Sequence, residues 1–275
     1  MHALVILTFN VGETPILNVR IVKDKGTKKI LSDLESGYDL IAEKFSSTRA
    51  FMWRDLGFVK DMVKPGDRVL DFGCGNGRLA GFLLGESGRE ERLGRYVGVD
   101  ISQKLIDIAS QKYSNEKTKF IKVHPVKSTT KGRGAPLAQF NRVKPSSLRL
   151  PLKDNQFDII FSIAVFHHFP SREYALEIAK ELRRVLKPGG KIVVTVWNLW
   201  QKQFLRFGLK NLKRSDLESK SDWRSFYIPF KAGEKVFRRY HHPFKIGELN
   251  SLMNEAGFKT RRTKEGWNLV YIGRK

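Results

Sequence analysis

The stretch Val69-Leu-Asp-Phe-Gly-Cys-Gly-Asn-Gly77 decides the fold, because it runs an apolar strand through an acid into a glycine-rich turn. Glycines spaced two residues apart let the backbone bend tightly and approach a ligand without a β-carbon in the way. A second acid, Asp100, ends the next apolar run, 23 residues beyond Gly77. In dinucleotide-binding folds an acid at about this distance binds a pair of ribose hydroxyls. The pattern therefore predicts a strand, turn and helix that bind an adenosyl ligand.

The first acid of the motif indicates which adenosyl ligand to expect. Asp71 would repel a pyrophosphate, but it could hold the amino-acid end of S-adenosylmethionine (SAM), directly or through water. The sequence therefore favours methyl transfer over hydride transfer. A purely structural role for the glycines, in a tight turn, is the alternative.

Three further segments follow in the order expected of a parallel α/β sheet covered on both faces. They are a buried strand with a polar tip at 158–168, a helix end at 181–190 and the strand that it feeds at 191–197. Ligands of such sheets lie outside the carboxyl ends of the strands. We therefore expect the acids of the first two strands to meet His167 and Trp197 there.

These ordered segments resemble the class I SAM-dependent methyltransferases across about residues 38–200. The resemblance implies a Rossmann-like α/β fold, with a mostly parallel seven-stranded sheet and helices on both faces. It also implies SAM as the cofactor. The cofactor-binding residues predicted on this basis are Asp71, Gly73, Gly75, Asn76, Gly77, Asp100, Ile101, Ser147, Leu148 and Ile163.

Positive charge is the main signal about partners. The chain has 51 Lys and Arg against 28 Asp and Glu, a formal net charge of +23, which predicts salt-sensitive attraction to polyanions. Residues 121–149 contain seven basic residues and no acid, and residues 201–275 contain 18 basic and seven acidic residues. RNA is the expected partner, and a highly solvated surface is the alternative.

Segment boundaries and compartment follow from composition. Residues 1–30 alternate weakly and are interpreted as an appended strand or a poorly ordered arm, so residues 1–35 are expected to form an N-terminal extension. An amphipathic helix from Ser36 opens a domain that spans 36–275. Residues 125–145 lack periodicity and are interpreted as a basic loop insertion. The single cysteine, Cys74, excludes a disulfide framework, and no apolar run near the start is long enough to span a bilayer. We expect a cytoplasmic protein without membrane contact.

Several segments of the sequence, most of them from about Trp197 onward, resemble one family, the methyltransferases that esterify carboxymethyluridine at the tRNA wobble position. The catalytic domain of this family also occurs fused to an AlkB-like dioxygenase. The segments that carry this resemblance are 38–49, 162–168, 196–201, 227–231, 238–249 and 266–268. The resemblance implies a methyl ester on a 5-carboxymethyl-type wobble uridine as the product. It implies tRNA as a partner, a small zinc-binding activator protein as another, and substrate-side elements at about 198–245.

A carboxylate acceptor is ionised at neutral pH, so the site must orient it and exclude water more than deprotonate it. Arginine suits this task, because its planar fork binds a carboxylate with two hydrogen bonds. Arg49 is the leading candidate, and Trp197 and Phe166 are candidates to stack on a flipped-out base. The full predicted catalytic set is Arg49, His167, Trp197, Arg239, Tyr240 and His241, and no metal site is predicted.

Two departures from the family pattern affect these predictions. Ser146 and Ser147 stand where relatives usually carry an acid for the adenine amino group, and His241 stands where a second tyrosine is common. Two other functions stay open: a small-molecule methyltransferase of the quinone or biosynthetic kind, and a non-catalytic RNA-binding scaffold with a methyltransferase shell.

Overall fold

A seven-stranded sheet forms the centre of the protein in its computed structural model, which describes residues 25–49, 51–85, 93–124, 149–204 and 225–275. Its strands are β1 (Arg68–Phe72), β2 (Arg95–Asp100), β3 (Thr118–Lys122), β4 (Phe157–Ile163), β5 (Leu186–Trp197), β8 (Lys259–Lys264) and β9 (Asn268–Arg274). They run in the order β3-β2-β1-β4-β5-β9-β8. The first five pair in parallel, whereas β9 is antiparallel to both β5 and β8. This confirms the predicted sheet.

Helices cover both faces of this sheet. They are α1 (Lys25–Ser47), α2 (Val59–Met62), α3 (Arg78–Leu84), α4 (Gln103–Tyr113), α5 (Arg172–Val185) and α6 (Ile246–Glu255). Successive strand residues point to opposite faces, so Val69 packs in the core beneath α3 while Leu70 packs in the core shared with α5 and α6. Near-continuous apolar strands are what a sheet buried on both faces requires.

Helix α1 and a separate hairpin cover the carboxyl ends of the parallel strands. The hairpin consists of β6 (Phe226–Ala232) and β7 (Lys235–His241), joined by a two-residue turn at which Gly233 has a φ of 63°. Gly37 lets α1 approach β7 closely, because a β-carbon there would collide with the ring of Phe237. The helix begins at Lys25, earlier than the Ser36 start predicted from its apolar pattern.

Several sequence predictions fall outside the described residues. These are the first 24 residues of the N-terminal extension, the whole basic insertion at 125–145, and the candidate cofactor residues Ser147 and Leu148. The division into an extension and a domain from residue 36 stays a prediction. Among the helices that the structure describes, none is long and apolar enough to cross a membrane.

Candidate functional site

The glycine turn forms the floor of a pocket at the carboxyl ends of β1, β2 and β4. Gly73 and Gly75 have φ values of 77° and 54°, in the left-handed region that favours glycine. A β-carbon at Gly75 would meet only Phe45, at 3.8 Å, so the backbone there is open to a ligand. Gly77 serves packing instead, because a β-carbon there would lie 2.8 Å from Tyr113 of α4.

Asp100 is positioned by backbone amides at the end of β2. Its Oδ2 accepts a hydrogen bond from Gly75 N at 2.8 Å, and its Oδ1 accepts one from Ser102 N at 2.9 Å. Burial raises the pKa of Asp100, and the amide hydrogen bonds counter this by favouring the carboxylate. Each carboxylate oxygen keeps a second lone pair, so the group can still accept from a ribose diol.

Asp71 lies deeper, where its Oδ2 accepts a hydrogen bond from the Tyr96 hydroxyl at 2.6 Å. Burial raises the pKa of Asp71 to about 7, although the hydrogen bond from Tyr96 lowers it. A cationic group brought to this pocket would favour the ionised form of Asp71.

Arg78 is a pocket residue that the sequence predictions missed. Its guanidinium lies 4.3 Å from the centre of the Trp53 ring, and its buried Nη1 has no hydrogen-bond partner among the described residues. Burial lowers the pKa of Arg78 to about 10, and Arg49 lowers it further while Asp71 raises it. The available signal was a basic residue directly after the last motif glycine. Arg78 and Asp71 therefore fit the carboxylate and ammonium of an amino acid, as the methionine end of SAM requires.

Helix α1 is tied over the glycine turn by side-chain hydrogen bonds. Asn76 donates from Nδ2 to Ser46 Oγ at 3.1 Å and to the Arg49 carbonyl at 3.3 Å. Asp39 accepts from Ser102 Oγ at 2.5 Å and from Lys104 N at 3.1 Å, which joins α1 to the first turn of α4. Asn76 thus positions the lid of the pocket.

Two arginines from different elements share the upper part of the pocket. Arg239 of β7 is only 4% exposed, and its Nε has no hydrogen-bond partner among the described residues. Its guanidinium lies 5.4 Å from the centre of the Trp197 ring and 5.3 Å from that of Phe230. Burial lowers the pKa of Arg49, and the charge of Arg239 lowers it further, as expected of two cations that face one space.

Two histidines follow β4, where the sequence predicts a strand with a polar tip. Ala164, with a φ of 60°, turns the chain into a short 3₁₀ helix, Phe166–His168, and both His167 and His168 line the pocket. His168 Nε2 lies 2.8 Å from the hydroxyl of Tyr38, a pocket residue that the predicted set lacked. Phe166 is fully buried in the core and cannot stack on a base.

His241 stacks on His167 with ring centres 5.2 Å apart, behind the pocket wall. The nitrogens of His167, His168 and His241 lie within 4.8 Å of one another. Burial lowers the pKa of His168 to about 3 and those of the other two well below the usual range, so all three are neutral at pH 7. The absence of a metal stays a prediction.

The remaining predicted residues divide between lining and support. Ile101, Ile163 and Trp197 line the pocket. Tyr240 lies in the core, where its hydroxyl donates to Ser225 Oγ at 2.8 Å. The structure therefore brings Asp71, Asp100, Gly73, Gly75, His167 and Trp197 to one pocket, as expected from the sheet topology, and it adds Arg49 and Arg239 from outside the sheet.

Comparison with known proteins gives a family match and named relatives. Residues 70–194 match a family model described as a methyltransferase domain. The chain is 29% identical over 232 residues to tRNA (carboxymethyluridine(34)-5-O)-methyltransferase ALKBH8 of Mus musculus, covering 84% of this chain and 26% of that protein. It is 29% identical to the tRNA (carboxymethyluridine(34)-5-O)-methyltransferase of Schizosaccharomyces pombe, covering 80% of this chain and 86% of that protein.

Solved structures share the fold. A SAM-dependent methyltransferase from Methanosarcina mazei superposes with a TM-score of 0.56 at 21% identity, covering 82% of this chain and 98% of that one. A methyltransferase from Haloferax volcanii, solved in complex with the Trm112 methyltransferase activator, gives a TM-score of 0.56 at 15% identity, covering 87% and 96%. Residues 70–194 thus form a methyltransferase domain, and the fold of the chain is that of SAM-dependent methyltransferases.

Proposed function

We propose that the protein transfers a methyl group from SAM to the carboxylate of a 5-carboxymethyl-type uridine at the tRNA wobble position, forming a methyl ester. The observation that carries the proposal is the pair Arg49 and Arg239, two guanidinium groups facing one pocket above the glycine turn. The names of the relatives support the same substrate. The chain spans only 20–31% of the length of the first four of them, so their activity comes to this chain as part of the proposal.

The arginine pair suits a carboxylate acceptor. Arg239 is buried between the rings of Trp197 and Phe230, where water competes little for its N–H groups. Its unpartnered Nε is left to bind a ligand oxygen. Because the acceptor is already ionised, the residues need only orient it and exclude water, and no general base is required. The neutral histidines agree with this, since their low pKa values leave them mainly as hydrogen-bonding groups.

The lower half of the pocket is assigned to the cofactor. SAM, when bound, supplies the electrophilic methyl group on its sulfonium. Asp100 would hold the ribose hydroxyls, while Arg78 and Asp71 would hold the carboxylate and ammonium of its methionine part. Asn76 would keep α1 closed over both ligands through its bonds to Ser46 and Arg49.

Partners and location complete the proposal. The net charge of +23 supports binding to tRNA. A small activator protein is proposed as a second partner, supported by the Haloferax volcanii neighbour, which was solved with Trm112. A cytoplasmic location is likewise proposed.

The test uses methyl-labelled SAM, the purified protein with and without an added activator of the Trm112 type, and tRNA that carries carboxymethyluridine. We expect label in the wobble nucleoside that mild alkali releases as methanol, because esters hydrolyse under conditions that methyl groups on carbon or ring nitrogen survive. Alkali-stable label in tRNA would contradict ester formation.

Two controls separate the remaining functions. Label transferred to small carboxylate or quinone acceptors, and not to tRNA, would identify a small-molecule methyltransferase. A protein that binds tRNA but does not bind SAM in calorimetry would be a scaffold. The Asp100→Ala variant, treated in parallel, shows whether the label depends on the pocket described above.

A further inference from the structure

An exposed basic and aromatic surface lies where β8 turns into β9. We call it the β8–β9 corner and define it by Arg261, Arg262, Lys264 and Trp267. The three basic side chains are exposed, and none of them pairs with an acid in the portion of the chain that the structure describes. Trp267 is 70% exposed, unusual for so large an apolar side chain.

The β8–β9 corner lies at the same end of the sheet as the pocket, where the parallel strands have their carboxyl ends. Trp197, which lines the pocket, pairs with Asn268 at the start of β9, so Trp267 is the next residue outward. The backbone of Trp267 is fixed to the chain beyond β5, because its carbonyl accepts hydrogen bonds from Asn198 N and Gln201 Nε2, each at 3.2 Å. A substrate reaching the pocket past Trp197 would meet this surface.

A second exposed tryptophan lies in the segment that follows β5, at the same end of the sheet. Trp200 is 41% exposed, and its Nε1 donates to the carbonyls of Pro243 and Phe244, at 3.2 and 3.1 Å, which fixes the orientation of the ring. The ammonium of Lys245 lies 5.3 Å from the centre of that ring. Aromatic faces next to cations are the combination that binds single-stranded nucleic acid, through base stacking and phosphate contacts.

We propose that the β8–β9 corner binds the RNA that flanks the methylated nucleotide, with Trp267 stacking on an unpaired base and Arg262 and Lys264 contacting phosphates. The inference rests on the proposed function for the identity of the RNA. Charged residues on an edge strand also prevent association between sheets. That role does not account for Trp267, because an exposed tryptophan at a sheet edge favours association rather than preventing it.

The first test compares the two edge strands of the sheet. Arg262→Gln/Lys264→Gln removes two charges from β8, and the matched control Lys117→Gln/Lys119→Gln removes two exposed charges at β3, the opposite edge. Binding of an anticodon stem-loop is measured against salt concentration. The β8 variant should flatten the plot of log affinity against log salt by roughly 1.4–1.8, and the control should not. Equal slopes for the β8 variant and the unmodified protein would overturn the proposal.

The second test isolates the stacking contact. Trp267→Ala should weaken binding of the stem-loop by roughly 5- to 150-fold, whereas Trp267→Phe, which keeps an aromatic face, should retain most of the affinity. If Trp267→Ala leaves RNA affinity unchanged but abolishes binding of an activator protein, the corner is a protein interface. If the protein forms the ester but these variants leave RNA affinity unchanged, the RNA-binding role of the corner is wrong and the proposed function stands. If these variants weaken RNA binding but the unmodified protein forms no ester, the proposed chemistry is wrong and the RNA-binding role of the corner stands.

Discussion

At the scale of single residues, three arginines line the pocket, and the proposed function assigns Arg78 to the cofactor and the other two to the acceptor. Arg78 directly follows the glycine turn, whereas Arg49 follows α1 and Arg239 belongs to β7, and all three line the same pocket. Arg239 is the most buried of the three at 4% exposure, held between two aromatic rings. Arg239 therefore joins Arg49 as a leading candidate to bind the acceptor carboxylate, although the sequence pattern ranks Arg49 first.

Asp100→Ala should weaken SAM binding by about ten- to hundredfold. The physical reason is the loss of a buried charged acceptor, which costs roughly 1.5–3 kcal/mol. Isothermal calorimetry measures the affinity. The control is Asp107→Ala, which removes an exposed carboxylate on α4. An unchanged affinity in the Asp100 variant would contradict the ribose assignment.

Arg239→Lys should lower turnover far more than it lowers SAM affinity. Lysine keeps the positive charge but loses the planar fork that aligns a carboxylate with two hydrogen bonds. We expect the same direction for Arg49→Lys, and a larger loss for either alanine variant. Single-turnover methylation and SAM calorimetry together separate the two effects. If SAM affinity falls as much as turnover, the arginine belongs to the cofactor site.

At the scale of secondary-structure elements, helix α1 is the part of the fold that closes the pocket. Its Tyr38 contacts His168, its Ser46 binds Asn76, and its Gly37 packs under the hairpin. Helix α1 therefore contacts the glycine turn through Ser46 and the β6–β7 hairpin through Gly37. Its position over the glycine turn therefore depends on close packing against Phe237.

Gly37→Ala should weaken SAM binding, although alanine favours a helix over glycine by about 1 kcal/mol. The added β-carbon would collide with the Phe237 ring and displace α1 from β7. SAM affinity and thermal stability are the measurements. Ser36→Ala is the matched control, because Ser36 is the exposed neighbour in the same helix. A gain of stability with unchanged SAM affinity in Gly37→Ala would show that the contact does not position the lid.

At the scale of the whole molecule, buried titratable groups couple stability to pH. Burial lowers the pKa values of His167, His168 and His241, so their contribution to stability is present above about pH 6.5 and is lost as pH falls. Burial raises the pKa of Asp71 to about 7, so its contribution is present below about pH 4 and is lost as pH rises through 7. Burial raises the pKa of Asp100 in the same direction.

The free energy of unfolding should therefore fall as pH is lowered from 6.5 to 4.5. Near pH 4.5 unfolding lets three histidines take up almost three protons, and at most two aspartates release protons, so about one net proton or more is bound; near pH 6.5 the uptake by the histidines is only half complete. One net proton corresponds to about 1.4 kcal/mol per pH unit. Urea denaturation at several pH values provides the slope. Asp71→Asn should make the slope steeper and raise stability above pH 7. A stability independent of pH over this interval would contradict neutral buried histidines.

The sequence alone determined the sheet, the glycine turn and the identity of the cofactor class. These features are local in sequence: apolar strands, a Gly73-Cys-Gly75 turn and an acid at the end of the next strand. Parallel topology then places every strand's carboxyl end at one edge, so Asp71, Asp100 and Trp197 meet without further information. This is why the fold and the lower half of the pocket could be predicted.

Only the tertiary structure showed how residues that are distant in sequence come together. Arg239 and Arg49 are 190 positions apart, and nothing in their local sequence indicates that packing of α1 against β7 brings them to one cavity. Trp197 and Phe166 are both predicted to stack on a base, but only Trp197 reaches the pocket, because Phe166 is buried in the core. The exposure of Trp267 likewise follows from where β8 meets β9. These properties depend on which surfaces the folded chain buries. An apolar pattern that repeats every two or every 3.6 residues identifies the buried face of a strand or helix, but it does not identify the element that packs on that face.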